Sequence, residues 1–154
     1  MVRTAPINYL LTAAAGGLLW TALAVGLGGY LGDVVPLQER TTEEFLGLYR
    51  IVLGVVLVLA LANCFYWYFL GSRRQAAVNL RGARRVWMGS LLGQVVLSVV
   101  ALLTLVLLLQ AEGLTLGNFA AIFAALSLLT YVFFWAATLL ASPPAVEFIP
   151  LGKR

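Results

Sequence analysis

Residues 86–109, VWMGSLLGQVVLSVVALLTLVLLL, run for 24 positions without a charged side chain. A helix needs roughly 20 residues to cross a bilayer core of about 30 Å, so this stretch is long enough to span a membrane. Inside lipid no water binds the backbone N–H and C=O groups, and a helix satisfies all of them within one segment. The stretch therefore predicts a transmembrane helix.

Three more apolar stretches of similar length occur, at about residues 7–31, 45–70 and 119–141. The composition agrees with membrane insertion, because 62% of the residues are hydrophobic and 10% are charged, whereas soluble domains average about 25% charged residues. We expect the first stretch to be retained, since it is longer than the roughly 7–15 apolar residues of a signal peptide. The sequence predicts an all-α integral membrane four-transmembrane-helix bundle with up-down topology, in one domain over residues 1–154.

Local signals predict where two helices begin and one ends. Thr41 as N-cap and Glu44 three residues later fit a capping box for the second helix. Asn118 is the predicted N-cap of the fourth helix. Pro143 and Pro144 cannot donate backbone hydrogen bonds and should end that helix, which predicts an extended tail over residues 142–154.

The stretch 71–85 separates the second and third segments and is rich in arginine. Placing this loop in the cytoplasm places both termini there too, because the number of spans is even, and eight of the ten Lys and Arg residues then lie on that side. The positive-inside rule favours this orientation. The arginines can also contact anionic lipid headgroups, at about 1 kcal/mol each, or an acidic partner protein: Arg73, Arg74, Arg81, Arg84 and Arg85. Nucleic acid is not expected, because the chain lacks a polar domain surface.

Aromatic residues cluster near the predicted helix ends, as in the belts that anchor membrane helices at the headgroup level. They are Tyr9, Tyr66, Trp67, Tyr68, Trp87 and Trp135 at the cytoplasmic ends and Tyr30 and Tyr49 at the outer ends.

The residue inventory argues against catalysis. The chain has no histidine, and its single cysteine, Cys64, lies within an apolar segment, where we expect a small buried side chain. No Asp, Glu or Lys lies deep in a segment. We therefore expect no enzyme activity, catalytic residue, metal ion or cofactor. Arg50, near the outer end of the second segment, either extends to the lipid headgroups or pairs with an acidic group.

Two amide side chains do lie within the apolar segments. Asn63 is ten residues before Arg73, and Gln94 is nine residues after Arg85, so both lie roughly 14 Å from the loop. They predict an interhelical hydrogen-bonded clasp, with the lining of a substrate path as the alternative.

Small residues spaced four apart predict close helix packing, internally or with another membrane chain. The pairs are Gly89 and Gly93, Ala22 and Gly26, and Gly28 and Gly32, with further alanine pairs after residue 119. In the tail, Phe148 and Ile149 either rest among the headgroups or dock onto a partner.

Leu61-Ala62-Asn63 precedes aromatics and an arginine pair, and Gly93-Gln94 follows the basic loop. In this layout the chain resembles the small four-helix subunit I family of bacterial ATP synthase operons. The family has Leu-Pro-Asn and Gly-Glu-x-x-Lys there, so Ala62, Gln94 and Leu97 replace its proline, glutamate and lysine. The resemblance implies a role in c-ring assembly or ion transport, and no functional residue is carried over.

Together these features predict a non-catalytic accessory subunit of a larger protein complex, held by small-residue helix faces and the tail. The bias toward Leu, Ala, Gly, Val and Arg, with a single lysine, indicates a GC-rich bacterium and hence the bacterial inner membrane, with both termini cytoplasmic. The expected partners are other membrane subunits and anionic lipids. The alternatives are a small homo-oligomeric transporter or channel and an ATP-synthase-associated assembly factor.

Overall fold

The computed structural model describes residues 6–34, 42–73, 80–109 and 115–141. Apart from Thr115 these residues are helical throughout, and no strand occurs among them. The chain therefore forms four helices within the described ranges, in agreement with the all-α prediction.

Helices 1 and 4 each contain a short π-helical segment, whereas helices 2 and 3 are α-helical throughout. Helix 1 covers residues 6–34 and helix 4 covers residues 116–141. Their parts are Pro6–Thr21, π-helical Ala22–Leu27 and Gly28–Val34 in helix 1, and Leu116–Ser127, π-helical Leu128–Val132 and Phe133–Ala141 in helix 4. Helix 2 is Thr42–Arg73 and helix 3 is Leu80–Leu109.

All four helices are long and apolar enough to cross a membrane. They confirm the four predicted apolar helical segments, and each extends up to six residues past its predicted limits. Helix 2 continues to Arg73 and helix 3 begins at Leu80, so Arg84 and Arg85 are helical. The predicted loop 71–85 is therefore too long. Arginine is a good helix former, and a helix can continue beyond the hydrocarbon that first defined it.

The predicted N-cap of helix 4 is wrong. Thr115 has extended backbone angles, and its Oγ1 accepts a hydrogen bond from the Asn118 backbone N–H at 3.3 Å. Thr115 thus satisfies an amide that has no partner within the helix, and the Asn118 side chain is buried instead. Thr41 lies outside the described residues, while Glu43 and Glu44 occupy the first turn of helix 2, where negative charge is favourable.

Consecutive helices are antiparallel. Thr12, early in helix 1, hydrogen-bonds Tyr68, late in helix 2, whereas Tyr49 donates to the Leu23 carbonyl nearer the other end. Asn63 joins helix 2 to helix 3, and Trp87 joins the start of helix 3 to the end of helix 4. Helices 1 and 3 therefore run in the same direction, and the arginine-bearing ends of helices 2 and 3 lie together.

Two apolar clusters hold the bundle. The cluster nearer the start of helix 2 is centred on Phe45, Leu53, Leu105, Leu126 and Leu129. The cluster nearer the arginine-bearing end is aromatic and is centred on Trp67, Tyr68, Trp87 and Phe134.

Four of the aromatic residues expected in headgroup belts are core residues instead. Tyr49, Trp67, Tyr68 and Trp87 are at most 1% exposed. Consecutive helical residues point in different directions, so Trp67 and Tyr68 face the bundle while Tyr66 is 54% exposed. Large rings fill the space between helices here, and the sequence position near a helix end did not distinguish the two roles.

Glycines in helix 1 bring it close to helix 2. A Cβ at Gly28 would lie 3.4 Å from Tyr49 Cε1, and one at Gly32 would lie 3.0 Å from Thr42 Cγ2. The tightest approach is at Gly16, where a Cβ would lie 2.9 Å from Leu57 Cδ1. Gly16 belongs to none of the small-residue pairs predicted from the sequence.

Candidate functional site

A groove of about 550 Å³ runs between helices 2 and 3. Its walls combine apolar side chains with amide and hydroxyl groups. The lining residues are Leu59, Asn63 and Tyr66 from helix 2 and Val86, Gly89, Ser90, Gly93, Gln94 and Leu97 from helix 3. Both amides predicted from the sequence therefore face the same groove.

The predicted hydrogen bond between Asn63 and Gln94 is not the one that forms. The Asn63 side-chain N–H donates to the Ser90 carbonyl at 3.1 Å. Helix 2 ends at Arg73 and helix 3 begins at Leu80, so ten residues from each end bring Asn63 level with residue 90. Gln94 is therefore one turn deeper in the bundle than Asn63. The sequence predicted equal depths for the two amides because the predicted loop 71–85 is longer than the observed connection between helices 2 and 3.

Gln94 is left with an unsatisfied acceptor. The side chain is 2% exposed, and its Oε1 has no hydrogen-bond partner in the described part of the chain. Leaving a buried acceptor unpaired costs about 1–3 kcal/mol. A partner with an N–H or O–H donor would remove this cost.

Two glycines keep the groove open. A Cβ at Gly89 or at Gly93 would meet no described atom within 4 Å. This GxxxG pair thus does not pack against the described helices of its own chain. It offers a surface that the backbone of another helix can approach closely.

Two of the arginines lie at one mouth of the groove. Arg84 and Arg85 are exposed and directly precede Val86 in the lining. Arg73 ends helix 2 and Arg81 lies in the first turn of helix 3. Arg74, Phe148 and Ile149 lie outside the described residues. Arg50 is exposed in the opposite half of helix 2.

A buried hydrogen-bond network lies beside the groove at the same end of the bundle. Tyr68 Oη bonds Thr12 Oγ1 at 2.9 Å and donates to the Ala137 carbonyl at 3.0 Å, which connects helices 1, 2 and 4. Trp87 Nε1 donates to Thr138 Oγ1 at 3.0 Å and connects helices 3 and 4. Sequence reasoning missed this network, because its members are far apart in sequence and share no motif.

The groups that line the groove are suited to hydrogen bonding and close packing. Cys64 is fully buried, and within the described ranges no three His, Cys, Asp or Glu residues are grouped so that they could hold a metal ion. The groove presents neutral amides, a hydroxyl and glycines. Such groups position a partner through hydrogen bonds and close packing.

Small residues also remain exposed on the outer faces of helices 1 and 4. On helix 1 they include Ala22 and Gly26, and a Cβ at Gly26 would meet nothing within 4 Å. On helix 4 they include Ala120 and Ala124. In the most apolar 18-residue stretch of each helix, 17% is buried in helix 1, 28% in helices 2 and 3, and 44% in helix 4. Helix 1 therefore has the largest exposed fraction of the four.

Comparisons with known protein families, with curated proteins and with solved structures find no match.

Proposed function

We propose that this protein is a non-catalytic accessory subunit of a larger protein complex in the bacterial inner membrane. The observation that carries the proposal is the set of small-residue helix faces that the four-helix bundle leaves exposed. The tail, with Phe148 and Ile149, provides a further contact in this proposal. The charge asymmetry of the sequence supports an orientation with both termini in the cytoplasm.

The physical reason is specific to membranes. Lipid chains are as apolar as leucine, so helices gain no hydrophobic free energy by associating there. Their association depends on close van der Waals packing and hydrogen bonds, and small residues allow the helix backbones to approach. An exposed alanine pair such as Ala120 and Ala124 is suited to that packing, and it leaves room for a partner helix.

The arginines have a supporting role in this proposal. Arg84 and Arg85 are exposed at one end of the bundle, where guanidinium groups can contact anionic headgroups, each with about 1 kcal/mol of favourable free energy. They would fix the depth and orientation of the subunit in the cytoplasmic leaflet.

The experiment is native mass spectrometry of the protein extracted in mild detergent from its own membrane. We expect larger subunits to be bound at a fixed stoichiometry. Ala124→Leu should reduce the bound fraction severalfold, since the added side chain separates the helix backbones. Ala62→Leu, at an exposed position of helix 2, is the matched control. Recovery of this chain with no other protein would contradict the proposal.

Two other functions remain as competing proposals. A homo-oligomeric transporter or channel would use Asn63, Gln94 and Arg50 to line its path. Flux in liposomes that persists after all three are replaced by leucine would argue against it. An ATP-synthase-associated assembly factor would be recovered with ATP synthase subunits, so the same mass spectrum separates it from a subunit of another complex.

A further inference from the structure

The groove between helices 2 and 3 and the outer face of helix 1 are complementary in depth. Thr12 contacts Tyr68, and the Asn63–Ser90 register makes Tyr68 level with Arg85. Helices 1 and 3 are parallel, so nine residues further along each helix, about 14 Å deeper, Thr21 and Gln94 lie at the same level.

We propose that helix 1 of a second copy docks in this groove, with its Thr21 hydroxyl donating to Gln94 Oε1. Two copies inserted in the same orientation place every residue at the same depth in both, so the donor and the acceptor are level without any shift along the membrane normal. This inference does not depend on the proposed accessory role.

The donor is available. Thr21 is exposed, and its Oγ1 donates to the Gly17 carbonyl of its own helix at 2.9 Å. This internal bond is the usual alternative for a threonine hydroxyl that has no external acceptor. Transferring the hydrogen bond to Gln94 satisfies a buried acceptor.

The shapes also match. Leu18 is 73% exposed on helix 1, and the same register places it between the levels of Gly89 and Gly93. The open space above these glycines can receive this side chain. Ala22 is exposed one residue after Thr21 and permits the close backbone approach that a GxxxG surface requires.

A helix fits this groove better than a small molecule does. Pockets for small ligands bury about 70–90% of the ligand surface. Here Leu59 and Tyr66 are about half exposed, and Gly89 and Gly93 are exposed along one side. An open groove of this kind contacts one side of a helix that lies along it.

The contact joins two different surfaces, so it is heterologous, and it closes into a ring where the rotation between neighbours divides a full turn evenly. Each copy would donate helix 1 to one neighbour and receive helix 1 from the other. The exposed face of helix 4 would then remain for other proteins.

Disulfide crosslinking in membranes tests this arrangement. In a Cys64→Ala background, Thr21→Cys and Gly93→Cys proteins are co-expressed with different tags. We expect a crosslink between the two tags, and little crosslinking when either variant is expressed alone. Pairing Thr21→Cys with Leu103→Cys is the depth control, because Leu103 is exposed on the same helix but about 15 Å deeper than Gly93.

A fluorescence energy-transfer titration in liposomes gives a second measurement. Gly93→Leu should weaken association at least tenfold without changing the fold, and Gly47→Leu, whose surroundings are equally open, should not. Thr21→Val and Gln94→Leu should each weaken association roughly threefold, and the double variant should be no weaker than either.

Three results would overturn the inference. They are a wild-type protein that stays monomeric at every lipid dilution, crosslinking of Thr21→Cys to itself as readily as to Gly93→Cys, and equal effects of Gly93→Leu and Gly47→Leu.

Discussion

Replacing Tyr68 with phenylalanine should destabilise the bundle by about 1.2 kcal/mol. The hydroxyl forms two hydrogen bonds, to Thr12 and to the Ala137 carbonyl, and interhelical hydrogen bonds in membranes average about 0.6 kcal/mol each. The ring stays, so its edge-on contact with Tyr9, at 5.3 Å between centroids, is retained. The loss should therefore report on the hydroxyl alone.

The assay is reversible unfolding by SDS in mixed micelles, followed by tryptophan fluorescence. Tyr66→Phe is the control, because Tyr66 is two residues away on the same helix and mostly exposed. A double-mutant cycle with Thr12→Val isolates one bond, and its coupling energy should be about 0.6 kcal/mol.

Two results would refute this reasoning. If Tyr68→Phe and Tyr66→Phe cost the same, the hydroxyl network does not stabilise the fold. If the coupling to Thr12 is zero while Tyr68→Phe is costly, the helix 1 contact is not formed and only the bond to helix 4 contributes.

Three further predictions follow from burial and position. Gly16→Leu should destabilise the bundle by about 1–3 kcal/mol in the same unfolding assay, because its Cβ would lie 2.9 Å from Leu57 Cδ1, whereas Gly17→Leu, with open surroundings, should cost little. The Cys64 thiol, fully buried, should resist maleimide labelling in the folded protein and react once SDS unfolds it. Arg84→Cys should be labelled by a membrane-impermeant thiol reagent in inverted vesicles but not in intact cells. The opposite pattern would reverse the proposed orientation.

The four long apolar helices could be predicted from sequence, because an apolar stretch of the length that a bilayer requires favours a helix. Their ends were less certain, since arginine-rich sequence such as residues 80–85 can be a loop or a helix projecting from the membrane. Thr115 and Asn118 illustrate the same limit at the start of helix 4. Both are good capping residues, and the apolar Leu116 gave no sign that the helix had already begun.

The candidate site was predicted in part. The interruption of an apolar stretch by Asn63 and Gln94 identified the two amides, but their register depended on the true length of the connection between helices 2 and 3. Gly16 and Tyr68 were not distinguishable from other residues of their type. Their roles depend on which helix faces meet, and no property of a single helix contains that information.

The π-helical segment Ala22–Leu27 has a consequence for the tolerance of this chain to insertions and deletions. A π-helical turn arises when one extra residue is accommodated within an α-helix. The six residues of this segment turn the helix about as far as roughly five α-helical residues do, so deleting one residue there would restore a regular α-helix and leave the direction of everything beyond it nearly unchanged. Gly28 and Gly32 would still face Tyr49 and Thr42. Helix 1 should therefore tolerate the loss of a single residue from this segment better than the loss of one from Pro6–Thr21, which would rotate the rest of the helix by about 100°.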